Sequence, residues 1–303
     1  MIDLRGVGKK FGRRLAVDDL TLKVPRGEIF GLLGHNGAGK STAIGMMLGQ
    51  VWPTCGEVRV CGHDVTKHRA RALHKVGAIF EAPAFYDYLS GWRNLEILSH
   101  YTAPTPPQRI REVVDWVGLT GREQGKVKTY SHGMRARLAL AQALLPQPEL
   151  LILDEPGSGL DPEGIAEMRQ TIARLHRDLG LTILLSSHLL SEVEQLCTRI
   201  AVLNQGRKVF EGRVADVKAV RGRVTLKTSD FAAATALLSE RGIISGAEDG
   251  RFIMLGEGQT TAAVAKALVG AGIAVEGIWQ HDQTLEDFYL TLVKAPPLLP
   301  RNN

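Results

Sequence analysis

The residues best suited to chemistry in this sequence form a glycine-rich stretch near the N-terminus. The pattern G-x-x-x-x-G-K-[ST] and the threonine after it comprise Gly34, His35, Asn36, Gly37, Ala38, Gly39, Lys40, Ser41 and Thr42. Glycines let backbone N–H groups converge on phosphate oxygens, and the N-terminus of a following helix adds about half a positive charge. In such a loop the Lys40 ammonium reaches the β- and γ-phosphates and the Ser41 hydroxyl binds Mg²⁺. The stretch therefore predicts a binding loop for a nucleoside triphosphate, and its flanking strand and helix disfavour a chance glycine turn.

Two adjacent carboxylates form the second candidate group. Asp154 and Glu155 directly follow the apolar run Leu150–Leu153. At the carboxyl end of a parallel strand they would face the nucleotide crevice. We expect Asp154 to hold Mg²⁺ through water and Glu155 to orient and deprotonate an attacking water, a role typically worth about 10²–10⁴-fold in rate. The alternative is a solvated turn at a strand end, which the glycine-rich loop disfavours.

The elements that must position these residues alternate along the chain. Three apolar runs are typical of buried strands and are followed by helical patterns; the strands are Glu28–Gly34, Leu150–Leu153 and Thr182–Leu185, and the helices are Lys40–Gly49, Pro162–Leu179 and Leu189–Cys197. Strand and helix in alternation predict an α/β fold with a parallel sheet covered on both faces. Residues 84–145 have a mainly helical pattern and are expected to form an inserted helical subdomain.

The C-terminal third of the sequence has a different pattern. Its elements follow the order β-α-β-β-α-β, with a hairpin turn signal at Glu248-Asp249-Gly250, which is typical of a small split-βαβ unit of α+β, ferredoxin-like type. We expect an N-terminal domain at 1–218, a C-terminal accessory domain at 221–294 and a frayed tail at 295–303.

Composition limits the class of protein further. The 303 residues are 44% hydrophobic and 23% charged, which is the balance of a globular chain with ample material for a core. The longest apolar runs are too short to span a bilayer, and the N-terminus lacks the apolar region of a secretory signal. Three cysteines without a C-x-x-C pair favour a reducing compartment. The net charge of +5 is scattered and suits an anionic ligand without selecting one.

A third motif suggests a family. Tyr130-Ser131-His132-Gly133-Met134 precedes a helical pattern at 136–145, which Ser131 is placed to cap. Together with the glycine-rich loop and the carboxylates, it makes residues 2–215 resemble the nucleotide-binding subunit of an ATP-binding-cassette (ABC) transporter, whose signature motif is usually LSGGQ. The resemblance implies a P-loop NTPase cassette with a RecA-like core and an inserted helical subdomain. It also implies a homodimer, in which Ser131 and Gly133 bind the γ-phosphate of an ATP held by the second copy.

The resemblance assigns four further residues. Asp161, in Gly159-Leu160-Asp161, matches the family's D-loop at the dimer interface, and His188, after Ser186-Ser187, matches the switch histidine that contacts the γ-phosphate. Phe11 stands where the family stacks an aromatic ring on adenine, with Val17 expected beneath the ring.

The sequence departs from the family pattern at two places. The Q-loop glutamine is replaced by Glu81, which can still bind Mg²⁺ and accept a water proton but adds negative charge near Asp154 and Glu155. In the signature motif, His132 and Met134 replace glycine and glutamine. Because the loop lysine and both strand-end carboxylates remain, the resemblance still implies an active ATPase that uses ATP and Mg²⁺.

The resemblance also extends to a transport direction and a partner. The stretches 81–86 and 89–95, and Thr284–Phe288 near the C-terminus, are similar to exporters of bacitracin, lantibiotics and other drugs. In that group a separate integral-membrane permease docks near residues 81–100, where Phe85, Tyr86, Tyr88 and Trp92 would suit an interface or pack within the helical subdomain. We therefore expect a peripheral protein on the cytoplasmic face of the membrane. An importer subunit is the alternative in direction.

Two other interpretations are weaker. An ABC ATPase acting on ribosomes or DNA usually has two cassettes or a long coiled-coil insertion, and in the C-terminal unit only Phe252 resembles a base-stacking aromatic. We therefore expect no nucleic-acid partner. Cys55, Cys61 and His63 lack a fourth ligand, so no structural metal is expected there.

Overall fold

The computed structural model describes residues 1–80, 83–101, 105–219, 224–280 and 284–294. Glu81 and the tail 295–303, on which two of the predictions fall, lie outside the described residues. The chain divides into two compact units, Met1–Gly212 and a second unit that begins at Arg213.

The first unit contains the elements expected of an α/β fold and an additional antiparallel sheet. In chain order they are β1 (Ile2–Phe11), β2 (Arg14–Val24), β3 (Ile29–Leu33), α1 (Lys40–Met47), β4 (Cys55–Val60), β5 (His63–Asp64), α2 (Arg69–Leu73), β6 (Val76–Ile79), α3 (Gly91–Ser99), α4 (Pro107–Trp116), a 3-10 helix (Val127–Thr129), α5 (His132–Leu144), β7 (Leu150–Asp154), α6 (Pro162–Leu179), β8 (Thr182–Ser187), α7 (Leu190–Leu196), β9 (Arg199–Asn204) and β10 (Arg207–Arg213).

The central sheet has the strand order β10-β9-β3-β8-β7-β6. Strand β3 pairs in parallel with β8 and β9, and β7 pairs in parallel with β6 and β8. Every residue of β3, β7 and β8 is buried, as their continuous apolar runs predict. Register places Leu33 beside Ser187 and Asp154 beside Ser186, so the carboxyl ends of these three strands lie at one edge.

A second sheet in this unit was not predicted from the sequence. It is antiparallel, with the order β2-β1-β4-β5. Leu20, Leu22 and Val24 are buried on β2 while the residues between them are exposed, which is the alternation of a sheet with one covered face. The β1–β2 hairpin, whose ends pair Phe11 with Arg14, supplies one wall of the site described below.

Helices α3, α4 and α5 lie between β6 and β7 in the chain and carry three buried polar side chains, those of Asn94, Ser99 and Arg109. The Asn94 amide oxygen accepts a hydrogen bond from Tyr86 N at 2.8 Å, and its Nδ2 donates to Ser90 O at 2.9 Å. The guanidinium of Arg109 donates to Leu144 O at 2.6 Å, which joins α4 to the end of α5. These bonds pair the Asn94 amide and part of the Arg109 guanidinium, and they connect the segments around α3 and α5.

The second unit has the predicted split-βαβ topology. Its elements are α8 (Val214–Ala219), β11 (Val224–Thr228), α9 (Phe231–Glu240), β12 (Ile244–Glu248), β13 (Phe252–Leu255), α10 (Thr261–Gly270), β14 (Val275–Gln280) and α11 (Leu285–Lys294). The sheet order is β12-β13-β11-β14 with antiparallel neighbours. The predicted hairpin turn is confirmed, since Asp249 and Gly250 both have positive φ, of 52° and 63°. Among the described residues of both units, no helix is long and apolar enough to cross a membrane.

Candidate functional site

The glycine-rich loop leaves the buried strand β3 and ends at the first residue of α1. Gly34 has φ 156° and Gly39 has φ 104°. A Cβ on Gly34 would lie 2.6 Å from Leu203 O, and a Cβ on Gly39 would lie 2.7 Å from Ala16 O. Glycine is therefore required at both positions by close backbone neighbours, and at Gly39 also by the backbone angle. The resulting turn exposes the N-terminal amides of α1 at the carboxyl edge of the sheet.

The side chain of Lys40 is nearly buried. It is 6% exposed, and its ammonium donates to Gly34 O at 2.7 Å. The same nitrogen lies 3.5 Å from Glu155 Oε1. The ammonium is thus held across the mouth of the loop by a carbonyl and a carboxylate, both of which phosphate oxygens can replace as acceptors.

The strand-end carboxylates are organised by a serine of the neighbouring strand. The Ser186 hydroxyl donates to Asp154 Oδ1 at 2.5 Å and accepts a hydrogen bond from Glu155 N at 3.0 Å. Asp154 is buried, and Glu155 has a left-handed φ of 53°, a conformation that costs a non-glycine residue about 1–3 kcal/mol. Ser186 therefore fixes the carboxylate of Asp154 and the backbone of Glu155. Ser186 was not among the predicted site residues, although its place after the apolar run Thr182–Leu185 was a usable signal.

His188 lies against Glu155. Its Nδ1 is 2.6 Å from Glu155 Oε2, and its backbone N–H donates to the same oxygen at 3.4 Å. An ionised carboxylate only accepts hydrogen bonds, so we assign the shared proton to Nδ1. Glu155, with a side chain only 11% exposed, thus lies between the ammonium of Lys40 and the imidazole of His188.

These groups line a cleft of about 490 Å³, which we call the first cleft. Its lining residues are Phe11, Arg14, Ala16, His35, Asn36, Gly37, Gly39, Lys40, Ser41, Thr42, Glu155 and His188. Phe11 is half exposed, with the Lys9 ammonium 4.7 Å from its ring centre. Arg14 and Ala16 were not identified from sequence, because the hairpin that brings them here was not predicted.

Not every predicted residue borders this cleft. Val17 and Ala38 are fully buried in the core, and Gly34 and Asp154 are buried and do not line the cleft. Ala16, rather than Val17, faces the cleft on β2.

Ser131, Gly133 and Asp161 lie together elsewhere in the first unit. They line another space of about 490 Å³, which we call the second cavity, with His132, Arg137, Gly159, Glu163, Gly164 and Glu167. Ser131 caps α5 by accepting from Met134 N at 3.2 Å, and Asp161 caps α6 by accepting from Gly164 N at 3.0 Å. The predicted site residues that line a cavity therefore form two groups with no lining residue in common.

The donor set fits magnesium brought in with a nucleotide. No group of three or more His, Cys, Asp or Glu side chains suited to a metal ion occurs in the part of the chain that the structure describes. Mg²⁺ prefers oxygen ligands and is usually held by one or two carboxylates together with substrate phosphates. Ser41 and Asp154 supply a hydroxyl and a carboxylate of this kind.

A parallel sheet whose first strand leads into a phosphate-type loop, with carboxylates ending a nearby strand, defines a P-loop nucleoside-triphosphate hydrolase. A family model described as ABC transporter matches residues 17–158. The chain is 35% identical over 296 residues to the bacitracin transport ATP-binding protein BcrA of Enterococcus faecalis, covering 97% of this chain and 96% of the relative. It is 34% identical over 302 residues to the daunorubicin resistance ATP-binding protein DrrA3 of Streptomyces coeruleorubidus, covering 96% and 95% respectively.

A solved structure agrees in fold. A dimeric ATP-binding cassette in a post-hydrolysis state, bound to ADP and Pi, is 23% identical with a TM-score of 0.64, over 71% of this chain and 99% of that one. The chain belongs to the family of ABC transporter ATP-binding proteins. It is an ATP-binding, ATP-hydrolysing subunit of an ABC transporter, and the relatives do not favour the importer or nucleic-acid alternatives.

Proposed function

We propose that this chain energises the export of a drug or peptide antibiotic through a separate membrane permease, from the cytoplasmic face of the membrane. The relatives named for bacitracin transport and daunorubicin resistance support this, because they align over nearly the whole chain, including the second unit. The permease would supply the membrane-spanning helices and the substrate path.

We further propose that the working form is a homodimer with composite ATP sites. The first cleft and the second cavity have no lining residue in common within one chain, which supports an arrangement in which Ser131 and Gly133 of another copy meet the nucleotide of the first cleft. The N-terminus of α5, capped by Ser131, would then face the γ-phosphate of that nucleotide. The dimeric cassette with a similar fold supports this arrangement.

The first cleft supplies the groups for phosphate binding. Lys40 would exchange Gly34 O and Glu155 for β- and γ-phosphate oxygens, while the loop amides hold the rest of the triphosphate. Phe11 and Ala16 border the side of the cleft where the adenine would stack. Ser41 and Asp154 would hold Mg²⁺, which neutralises phosphate charge when bound.

The observation that carries the proposed mechanism is the position of Glu155. Its carboxylate lies between the Lys40 ammonium and the His188 imidazole at the edge of the cleft. Once phosphate takes over the ammonium, one carboxylate oxygen is released to accept a proton from the attacking water. His188 keeps the other oxygen fixed and is placed beside the terminal phosphate.

The proposal is tested with Glu155→Gln, which keeps the shape of the side chain but removes its basicity. We expect turnover to fall by about 10²–10⁴-fold while ATP binding persists, since the loss affects proton transfer alone. The variant should also accumulate as an ATP-bound dimer, measured by light scattering with and without ATP.

A matched control is Glu149→Gln, which also removes one carboxylate charge. Glu149 directly precedes the first residue of β7, at the opposite end of the strand from Glu155, and pairs with Arg26 and Lys75. The Glu149→Gln variant should hydrolyse ATP at close to the parental rate. Parental turnover in Glu155→Gln would show that Glu155 is not the base. A Glu155→Gln protein that stays monomeric at saturating ATP would contradict the composite site.

Export is tested separately in membranes. The tagged chain, co-purified from detergent-solubilised membranes, should bring with it a protein of several membrane-spanning helices. Inverted vesicles containing that pair should take up daunorubicin or labelled bacitracin only with ATP, and vesicles made with Glu155→Gln should not. ATP-dependent uptake that persists in the Glu155→Gln vesicles would contradict the proposed role.

A further inference from the structure

Glu192, in the first turn of α7, is a carboxylate that the proposed mechanism does not use. The Ser187 hydroxyl donates to Glu192 Oε2 at 3.1 Å. The same hydroxyl accepts a hydrogen bond from Leu189 N at 3.0 Å. The two bonds bracket His188, so Glu192 helps to fix the turn that carries the imidazole toward Glu155.

The other oxygen of Glu192 lies against a different loop. A Cβ built on Gly157 would be 2.6 Å from Glu192 Oε1, so the carboxylate packs directly on the Gly157 backbone. Gly157 is buried and belongs to the loop that joins Glu155 to Asp161. Within that loop Ser158 N donates to Glu155 O at 3.0 Å and Leu160 N donates to Gly157 O at 3.2 Å. The Glu192 carboxylate therefore contacts both the turn that carries His188 and the loop from Glu155 to Asp161.

These two segments lead to different cavities. His188 lines the first cleft, whereas Gly159 and Asp161, beyond Gly157, line the second cavity. A group that touches both segments can transmit a displacement of one to the other, because packed contacts of this kind are stiff.

Glu192 is also costly to keep charged at this place. Burial raises the pKa of its carboxyl, the Ser187 hydroxyl opposes this rise, and the nearby Glu155 carboxylate adds to it. An apolar residue would avoid that cost. The presence of a carboxylate here is therefore better explained by its contacts with Ser187 and Gly157 than by any gain in stability.

We propose that Glu192 is a positioning residue that couples His188 in the first cleft to the 155–161 loop of the second cavity. The inference rests on the proposed function, since the coupling has an effect only if a partner copy closes on the second cavity. Its consequence is that closure of the dimer and alignment of Glu155 with His188 occur together.

The test compares four variants of the full chain: Glu192→Ala, Glu192→Gln, Gly157→Ala, and the double variant Gly157→Ala/Glu192→Ala. Glu192→Ala removes both contacts, whereas Glu192→Gln keeps an oxygen that can accept from Ser187. Gly157 has no left-handed φ, so its alanine variant is not strained by backbone angle, and the new Cβ pushes against the Glu192 carboxylate. Glu194→Ala, on the same helix, is the control for losing a carboxylate from α7.

We expect Glu192→Ala to lower kcat by about tenfold with KM for ATP changed less than about twofold, because Lys40 and its loop are untouched. Glu192→Gln should keep at least about half of the parental kcat, and Gly157→Ala should fall between the two. The double variant should match Glu192→Ala, because the added Cβ then has no carboxylate to displace. In the Glu155→Gln background, Glu192→Ala should raise the ATP concentration needed for dimerisation.

Three results would overturn the inference: a parental kcat in folded Glu192→Ala, a Glu192→Gln variant as slow as Glu192→Ala, or additive losses in the double variant. Circular dichroism at the assay temperature establishes that each variant is folded. Failure of the proposed function would be seen differently, since Glu155→Gln with Glu192 intact would then not dimerise with ATP.

Discussion

The first cleft and the second cavity are equal in volume, about 490 Å³ each, but differ in how their polar groups are held. In the first cleft Lys40 and Glu155 are nearly buried and contact each other. In the second cavity Ser131 and Asp161 are exposed, and each serves as the N-cap of a helix. The first cleft holds a nearly buried ion pair, whereas the second cavity presents two capped helix N-termini beside the more exposed ion pair of Arg137 and Glu167.

This difference indicates that the two spaces have different functions. A preorganised, partly desolvated site binds its ligand without help, because the cost of ordering its charges has been met in folding. Two exposed helix N-termini bind a free anion only weakly. They contribute binding free energy once a phosphate that is already held elsewhere is placed against them. We therefore expect the first cleft to set nucleotide affinity and the second cavity to set turnover and dimerisation.

The largest effect is expected for Lys40→Ala, which tests whether the first cleft sets nucleotide affinity. It removes the only buried ammonium among the described residues, together with charge-assisted bonds to phosphate that are worth about 1.5–3 kcal/mol each. We expect ATP affinity to fall by about 100-fold or more, measured by calorimetry, and hydrolysis to be lost with it.

Lys75→Ala is the matched control, since the Lys75 ammonium is exposed and pairs with Glu149 outside the cleft. It should bind ATP as the parent does. If Lys40→Ala kept parental affinity, the first cleft would not be the nucleotide site and the contrast between the two spaces would lose its meaning.

Ser131→Ala addresses the other side of the comparison and should have a smaller effect. In the proposed homodimer the Ser131 hydroxyl contacts the γ-phosphate of ATP bound by the other copy, so its loss should lower turnover by about tenfold. The affinity of dilute monomer for ATP should stay within about twofold of the parent, because Ser131 does not line the first cleft. Both quantities can be measured on one preparation, with turnover followed as a function of protein concentration.

The substitution also removes a helix cap, which costs about 1 kcal/mol of stability. Thr260→Ala is the control for that loss, since Thr260 caps α10 in the second unit by accepting from Ala263 N at 3.3 Å. It should lose a similar amount of stability at unchanged turnover. Equal losses of turnover in the two variants would show that Ser131 acts only as a cap.

The contrast between the two spaces also separates what the sequence could predict from what it could not. The glycine-rich loop, the strand-end carboxylates and helix α6, which runs from Pro162 to Leu179 as expected, are encoded in local patterns. Ser131 was recognisable as a residue before a helix for the same reason, whereas Asp161 was assigned through the resemblance to the family's D-loop.

Residues that reach a site from a distant segment were harder to predict. Arg14 and Ala16 border the first cleft because β2 lies beside the glycine-rich loop, with Ala16 O 2.7 Å from the position of a Cβ on Gly39, and the pairing of β2 with β1 sets this placement. Val17 was expected beneath the adenine, but on a strand the side chain alternates in direction, so Ala16 faces the cleft and Val17 the core. The contacts of Glu192 with Ser187 and Gly157 depend on how α7 packs, which no local pattern encodes.

The smallest effect is expected at Glu192, the residue that we propose couples the first cleft to the second cavity. Burial raises the pKa of Glu192, so the folded protein binds this proton more tightly than the unfolded chain does. Folding stability from this group is therefore fully present below the ordinary glutamate pKa of 4.5 and is lost as pH rises through the higher folded value. At neutral pH the ionised carboxylate thus makes the native state less stable than a neutral side chain of the same shape would.

Glu192→Gln should consequently melt at a temperature slightly above that of the parent at pH 7.5. The gain should shrink as the pH is lowered toward 4.5, because the parent then carries its own proton and the two side chains become alike in charge. Melting temperatures are measured over this pH range by circular dichroism. Glu149→Gln is the control, because the pKa of Glu149 is shifted in the opposite direction. Salt-bridge hydrogen bonds from Lys75 and Arg26 lower the pKa of Glu149, so its amide variant should be no more stable than the parent at neutral pH. A Glu192→Gln protein that melts below the parent at pH 7.5 would mean that the charge itself stabilises the contact with Ser187. The link between the two spaces would then be electrostatic rather than steric.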